Sequence, residues 1–236
     1  MDIIRVNFLT FHMNYRAHQA GGFTAGAITV TLLADKIAPF GSLTRAGKIL
    51  VISSAVIGAV LPDIDHPDSH VGRRHRITSS LVNAAAGHRG AFHSPMMLAL
   101  IYFGVKYFYQ SFLSSFLAKF IDSIFIAVIV GLCGFFLALL KHRSFSVAPV
   151  VLALSGVFFL VSGNGIDSFF NLLLSGVTLG YASHLFLDFL TVGGIPLFYP
   201  LTKKTYHLLK MKSGRSDIYV IIVLLLISVS LLFLYF

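Results

Sequence analysis

Long apolar segments with very few charges constrain the fold of this chain more than any other feature of its sequence. The last segment, residues 218–236, contains no charged residue at all. Only 11% of the 236 residues are charged, whereas soluble domains carry about 25% charged residues. A chain with so little charge cannot form an ordinary solvated surface, so we expect the lipid bilayer to be its solvent.

The apolar segments predict an all-α, polytopic helical membrane protein of about seven transmembrane helices, each needing about 20 residues. The segments are residues 19–34, 47–61, 94–112, 121–140, 147–161, 168–190 and 218–236. Residues 77–87 are too short to span and predict an interfacial or re-entrant helix. Residues 1–236 then form a single integral membrane domain. We interpret residues 1–14 as a disordered or mis-annotated extension; a true start at Met13 would make residues 1–12 an annotation extension.

The basic residues predict how these helices are oriented. If the N-terminus is cytoplasmic, the cytoplasmic segments hold most of the 18 Lys and Arg residues, as the positive-inside rule requires. The net charge of +9 is explained in the same way, so we do not expect nucleic-acid binding. Residues 193–217 become a cytoplasmic basic loop. Its stretch "KKTYHLLKMKSGR" favours a stop-transfer role over specific lipid recognition.

Scarce acidic residues are concentrated beside histidines after the second apolar segment. All nine acidic residues are Asp, and three of them lie in "PDIDHPDSH", between Asp63 and Asp68. Pro62 and Pro67 favour a rigid turn, in which we expect Asp63 and Asp65 to point the same way. Two carboxylates held close together repel each other, and a divalent cation removes that conflict. An ordinary turn rich in Asp and Pro is the alternative interpretation.

Three further polar groups lie at the ends of apolar segments. His18 opens the first segment, and two histidines in "GHRGAFHSP" precede the third. His184 and Asp188, near the end of the sixth, are four residues apart and share one face of a helix. Alternating spans place all of these groups on the cytoplasmic face, together with the acidic turn. Polar residues at membrane depth must face protein or water, so we expect the groups to converge.

The converging residues predict a metal site. The candidate ligands are His18, Asp63, Asp65, His66, His88, His93, His184 and Asp188. Nitrogen and oxygen ligands without a thiolate suit zinc or manganese, and this number would serve one or two ions per chain. We expect Asp63, Asp65, His88 and Arg89 to be catalytic. Arg89 would clamp a phosphate or carboxylate group, although a positive-inside charge explains it equally well.

Four motifs carry a resemblance to a known family. In chain order they are "YRAHQAGG", "LPDIDHPDSHVGRR", "GHRGAFHS" and "GYASHLFLDFLTVGGIPLFYP". Together they resemble the YdjM-like family of membrane-bound metal-dependent hydrolases. The resemblance implies a helical protein of a prokaryotic inner membrane with the eight candidate ligands as its metal-site positions. Ala91 and Phe92 stand where the family usually has Phe and Thr.

These observations favour a membrane hydrolase in which a divalent cation at the cytoplasmic face activates water. A site at the level of the headgroups favours a phosphoester of a lipid or of a lipid-linked substrate. The alternatives are a metal ion transporter and a non-catalytic lipid- or metal-binding membrane protein. Intramembrane His and Asp also mark ion pathways, but here the candidate ligands cluster at one face. Membrane lipids are the expected partners, and the oligomeric state stays open.

Overall fold

The computed structural model of the chain describes residues 15–33, 43–65, 80, 90–113, 147–161, 165–212 and 215–235. These residues form six α-helices: α1 (Tyr15–Ile28), α2 (Arg45–Gly58), α3 (Pro95–Phe108), α4 (Val147–Val161), α5 (Ile166–Leu190) and α6 (Arg215–Tyr235). Short 3-10 turns lie at Pro62–Asp65 and Ala91–His93, and π-helical turns at Thr29–Leu33 and Tyr109–Leu113. Helices are the regular secondary structure of these ranges, with no β-strand among them, as the all-α prediction expects.

Three helical stretches are long and apolar enough to cross a membrane: Arg45–Asp65, Ile166–Leu190 and Asp217–Tyr235. The chain is therefore a helical membrane protein, but the prediction of about seven spans is not confirmed. The other predicted segments lie partly or wholly outside the described ranges, or form shorter helices within them. The predicted helix at 121–140, residues 1–14, and all of the predicted helix at 77–87 except residue 80 lie outside the described ranges.

Local sequence sets both ends of α2 and the start of α3. Thr44 caps α2, where its hydroxyl accepts a hydrogen bond from the Gly47 amide at 3.2 Å. Ser94 caps α3 in the same way, accepting from the Met97 amide at 3.2 Å. The α-helical hydrogen bonding of α2 ends a few residues before Pro62, which opens the 3-10 turn that carries the two aspartates.

α1, α2 and α5 pack against one another, and glycines of α1 let its backbone approach that of α2 closely. Gly22 and Gly26 are four residues apart and face α2 on one side of α1. A Cβ atom at Gly22 would lie 2.7 Å from Ala59 Cβ, and one at Gly26 would lie 2.9 Å from Ile52 Cα. Real side chains do not tolerate such distances, so this contact requires glycine.

The contact between α2 and α5 repeats this arrangement and involves the same two alanines of α2, Ala55 and Ala59. Gly176 and Gly180 are also four residues apart, and a Cβ atom at Gly180 would lie 2.7 Å from the Ala55 carbonyl carbon and the Ala59 amide nitrogen. Gly58 of α2 in turn contacts the backbone of Val177. Small residues at this spacing are typical of membrane helix pairs, because lipid provides no hydrophobic drive for helices to associate.

α6 packs on α1 through buried hydroxyl groups. The Ser228 hydroxyl lies 2.9 Å from the Thr24 hydroxyl, which lies 3.1 Å from the Leu224 carbonyl oxygen. Both hydroxyls therefore find partners across the helix pair. Most of the remaining surface of α6 is apolar and exposed, as expected of a helix in lipid.

Gly180→Ala is predicted to lower the melting temperature of the detergent-purified protein, because the added methyl group would meet the α2 backbone. Overpacking of this kind costs about 1–3 kcal/mol. Gly104→Ala is the matched control, since a Cβ atom at Gly104 in α3 would have nothing within 4 Å. Equal melting temperatures for the two variants would contradict the close contact.

Candidate metal centre

Six of the eight predicted ligands lie within the described residues, and the structure brings all six together at one end of α1, α2 and α5. They are His18 in α1, Asp63 and Asp65 in the turn after α2, His93 before α3, and His184 and Asp188 in α5. Five of the six are almost completely buried, and Asp63 keeps 21% of its side chain exposed. The convergence expected from alternating spans is therefore observed. His66, His88 and Arg89 lie outside the described residues.

The end of α2 orients the ring of His184. Nδ1 of His184 lies 2.7 Å from the carbonyl oxygen of Ala59. Ala59 follows the last residue of α2, where carbonyl groups lack intrahelical donors. Because a carbonyl oxygen only accepts hydrogen bonds, Nδ1 carries the proton. Nε2 of the neutral ring then presents a lone pair, which is the arrangement that a metal-binding histidine needs.

The ring of His93 is held in an equivalent way. Its Nδ1 lies 3.1 Å from Oδ2 of Asp65, and a carboxylate accepts the proton of that nitrogen. The hydroxyl of Tyr181 donates to the carbonyl oxygen of Phe92, which fixes the backbone just before His93. Nε2 of His93 is therefore the second imidazole lone pair that points into the cluster.

Three ligand atoms have the spacing expected around a single ion. The two Nε2 atoms of His93 and His184 lie 3.3 Å apart, and Oδ2 of Asp188 lies 3.5 Å from each. In a tetrahedral zinc site with bonds of about 2.0–2.1 Å, neighbouring ligand atoms lie about 3.3–3.4 Å apart. Two lone pairs that face each other repel, so a cation or a proton must lie between them.

His18 and Asp63 complete the cluster on its other side. The ring of His18 stacks on that of His184, with centroids 3.7 Å apart and planes inclined by 18°. Nδ1 of His18 is buried without a hydrogen-bond partner among the described residues, a costly state that a bound cation would relieve. Oδ1 of Asp63 lies 3.9 Å from Nε2 of His184 and 4.0 Å from Nε2 of His93. Its partial exposure marks the opening of the cluster.

The described residues offer two groups of three metal ligands, and both groups include His184. One group is His18, Asp63 and His184, and the other is His93, His184 and Asp188, with all ligand atoms of a group within 4.8 Å of one another. Since Nδ1 of His184 is engaged by Ala59, only Nε2 can bind a metal ion. One lone pair binds one ion, so the described cluster fits one cation.

The expectation that Asp63 and Asp65 point the same way is wrong. They lie in a 3-10 turn, where each residue turns by about 120° and positions two apart differ by about 240°. Asp63 consequently approaches Nε2 of His93, whereas Asp65 approaches Nδ1 on the opposite side of that ring. This placement fits Asp65 as the partner that orients His93 rather than as a metal ligand.

Comparison with known proteins gives the family of the chain. A family model described as YdjM inner membrane protein matches residues 13–236. The chain belongs to the YdjM family. It is 28% identical over 150 residues to the inner membrane protein YdjM of Escherichia coli (strain K12), which covers 64% of this chain and 49% of that protein. It is also 26% identical over 166 residues to the uncharacterized protein YvsG of Bacillus subtilis (strain 168), covering 70% of this chain and 67% of YvsG.

The resemblance predicted from the four motifs is thus confirmed, and the chain is an inner membrane protein of the YdjM family. It spans about half the length of the YdjM protein of Escherichia coli, 49% of which is aligned. A YdjM sequence from Shigella flexneri gives the same match. No solved structure is significantly similar to this YdjM-family chain.

Two groups that position the site were missed in the sequence. Tyr181 lies three residues before His184 in α5, so helical spacing places both on one face. This spacing can be read from the sequence. The Ala59 carbonyl has no signal in the sequence, because its role depends on how closely α5 approaches α2. Any residue type at position 59 would supply the same oxygen.

Different losses of zinc affinity are predicted for Asp188→Asn and Asp65→Asn. Asp188→Asn removes a charged ligand and should abolish stoichiometric binding by the purified protein in isothermal titration calorimetry. Asp65→Asn should keep the stoichiometry but weaken binding about 10–100-fold, the usual effect of losing a partner that orients a ligand. His207→Ala, which alters an exposed histidine, serves as the control. Equal losses for the two aspartate variants would contradict the assignment.

Zinc affinity is also predicted to fall as the pH is lowered from about 7.5 to 5.5, since free imidazole takes up a proton near pH 6.5. A proton and a metal ion compete for the same lone pairs of His93 and His184. Binding at low pH should release protons in the wild type and fewer of them in His93→Gln, which removes one of the two facing nitrogens. Titrations in buffers of different ionisation enthalpy measure this number, and a value that does not change would refute the competition.

Proposed function

We propose that this YdjM-family protein is a membrane-embedded, metal-dependent hydrolase that acts on a phosphoester of a lipid or of a lipid-linked substrate. The observation that carries the proposal is the group formed by His93, His184 and Asp188, whose ligand atoms lie 3.3–3.5 Å apart. A partly exposed carboxylate, Asp63, lies at its edge. Buried ligands beside one accessible carboxylate are what a hydrolytic site needs.

His93 and His184, through Nε2, and Asp188, through Oδ2, would hold a divalent cation, with zinc or manganese suiting these ligands. When bound, the ion supplies Lewis acidity, which polarises a phosphoester and lowers the pKa of water toward neutrality. The Ala59 carbonyl and Asp65 keep the protons of the two imidazoles on the far nitrogens, so the near ones stay available. The stacked ring of His18 limits rotation of His184.

Asp63 is the proposed general base. Its Oδ1 lies 3.9 Å and 4.0 Å from the two Nε2 atoms, beyond the compact group of three. At this distance the carboxylate can accept a proton from a water molecule that lies between it and the ligands. Because part of the Asp63 side chain is exposed, water can reach this carboxylate from the surface. His88 and Arg89, outside the described residues, stay proposed as catalytic partners, with Arg89 binding the phosphate.

A lipid-type substrate is proposed because of where the cluster lies along its helices. Asp188 precedes the end of α5, at Leu190, by two residues, and His184 precedes it by less than two turns. Since Ile166–Leu190 is long enough to span a membrane, its end lies at the level of the headgroups. The distribution of basic residues favours the cytoplasmic leaflet.

Metal transport receives less support from the described part of the chain. Between Asp167 and His184, α5 contains no acidic or basic residue. The hydroxyl of Thr178 in this stretch donates to the carbonyl of Leu174 in its own helix at 2.7 Å, so it offers little to a passing ion. A transport pathway would need ligands along the membrane, whereas the described ligands gather at one end.

Asp63→Asn tests the hydrolase in full. The metal-loaded protein in detergent is assayed for phosphate release from phosphomonoester and pyrophosphate lipids. Loss of a general base should lower turnover by about 10²–10⁴-fold, while zinc is still bound by the group of three. Asp167→Asn, a matched change at the other end of α5, should keep full turnover, and a chelator should abolish it reversibly.

Two results would reject the proposal. Bound zinc without turnover on any phosphoester lipid would favour a non-catalytic metal-binding protein. Zinc flux into proteoliposomes that is lost in His184→Ala, again without turnover, would favour a transporter.

A further inference from the structure

The connection between α5 and α6 is a folded element rather than a loose linker. Ile195 and Tyr206 exchange two backbone hydrogen bonds of 2.9 and 2.8 Å across it. Gly194 has a φ of 62° and its Cβ position would lie 2.8 Å from the carbonyl carbon of Tyr206, so the tight turn requires glycine. The sequence predicts a basic loop over residues 193–217. From here on the name basic loop refers to residues 191–212, the folded part that the structure describes.

The basic loop is fixed to the end of α5. The amide of Leu208 donates to the carbonyl of Phe189 at 2.7 Å, and that of Met211 donates to the carbonyl of Leu190 at 3.2 Å. These bonds satisfy carbonyl groups that the end of a helix leaves without partners. Ile195 is buried and packs with residues of α5. The orientation of the loop is therefore set by α5, the helix that carries His184 and Asp188.

The outer surface of the basic loop combines apolar and basic side chains. Leu201 is 90% exposed, and it is one of several large apolar side chains that the loop leaves uncovered. The exposed apolar residues are Leu197, Phe198, Leu201, Leu208 and Leu209. The exposed lysines among them are Lys203, Lys204, Lys210 and Lys212. No acidic residue occurs between Asp188 and Asp217, so the surface has one sign of charge.

Chain connectivity places this surface at the membrane interface. The helices before and after the loop include the candidate spans Ile166–Leu190 and Asp217–Tyr235. Both ends of the loop therefore lie at the same membrane face, and the loop is too short to leave it far. Exposed apolar side chains there gain free energy by entering the boundary between headgroups and acyl chains, while lysines remain beside phosphate groups.

We propose that the basic loop docks on anionic phospholipid headgroups at the membrane face that carries the metal site. Phe198, Leu201 and Leu208 enter the boundary, and Lys203 and Lys204 contact the lipid phosphates. Such docking holds the loop, and with it the end of α5, against the leaflet. A stop-transfer role needs only the positive charges; the fold and the exposed apolar residues are explained by docking.

Charge and context favour lipid over a protein partner. A soluble acidic protein would match the lysines, but it would leave Leu201 and Phe198 facing the bilayer at the interface without a role. Anionic lipid can contact both the lysines, through its phosphates, and the exposed apolar side chains, through its acyl chains. The proposal does not depend on hydrolase activity, since the loop would dock on lipid whether or not the metal site is catalytic.

The chain contains no tryptophan, so Leu201→Trp introduces a single fluorescent probe at the tip of the loop. The full-length protein is placed in nanodiscs of phosphatidylcholine, with or without phosphatidylglycerol, and with brominated acyl chains as quenchers. Blue-shifted emission and strong quenching are expected in the anionic nanodiscs. Changing Lys203 and Lys204 to Gln should shift the equilibrium away from the lipid by about fivefold per lysine in those nanodiscs.

Two controls accompany the probe. Phe233→Trp lies on the exposed surface of α6 and should be quenched equally in both lipid mixtures. Arg45→Gln, made in the Leu201→Trp background, removes a positive charge at the other end of α2 and should leave the loop probe unchanged. Together they separate a headgroup effect at the loop from a general effect of nanodisc composition.

Two results would overturn the proposal. Emission typical of water without quenching would mean that the loop faces solvent or is covered by a protein. Equal quenching in both lipid mixtures, unchanged by the lysine substitutions, would mean apolar insertion without recognition of anionic headgroups. Absence of phosphate release would count against the proposed hydrolase, but it would not change the interpretation of either fluorescence result.

Discussion

The close contact of α2 with α1 and α5 is the constraint on which the rest of this structure depends. Gly180 lets α5 approach the backbone of α2 near Ala59, and one turn further along α5 His184 reaches the Ala59 carbonyl at 2.7 Å. A wider separation of these two helices would break that bond. The packing that holds the helices together in lipid therefore also sets the direction of an imidazole lone pair.

The positions of the protons follow from this packing and give the cluster a geometry that could hold a cation. Ala59 and Asp65 accept the Nδ1 protons of His184 and His93, so two lone pairs and a carboxylate oxygen of Asp188 face one point. Three aspartates within the same cluster add negative charge that repels internally. A single cation lowers both kinds of repulsion. The arrangement is hard to explain as a bundle contact alone, because apolar residues would pack there at lower cost.

Much of the site could be predicted from the sequence, because its signals were local or topological. The spacing of His184 and Asp188 places both on one helix face. The alternation of the predicted spans places four distant segments at one membrane face. The roles of Asp63 and Asp65 could not be separated, since the difference depends on a 3-10 turn that a Pro-bracketed sequence does not specify. The motifs "GFTAG" and "GVTLG" have the small-residue spacing of membrane helix pairs, but the sequence alone does not say that both face α2.

The position of the cluster at the end of its helices follows from electrostatics and narrows what the site can do. A charged side chain at the centre of a bilayer costs about 2.5–3.5 kcal/mol even on the lowest scales, and the described cluster holds three aspartates. Near the end of α5 the side chain of Asp63 is partly exposed, and the end of a spanning helix is where headgroups are expected. The basic loop, which carries four exposed lysines, begins three residues after Asp188. The cost of burying three aspartates in lipid therefore accounts for a cluster at the end of its helices rather than at their middle.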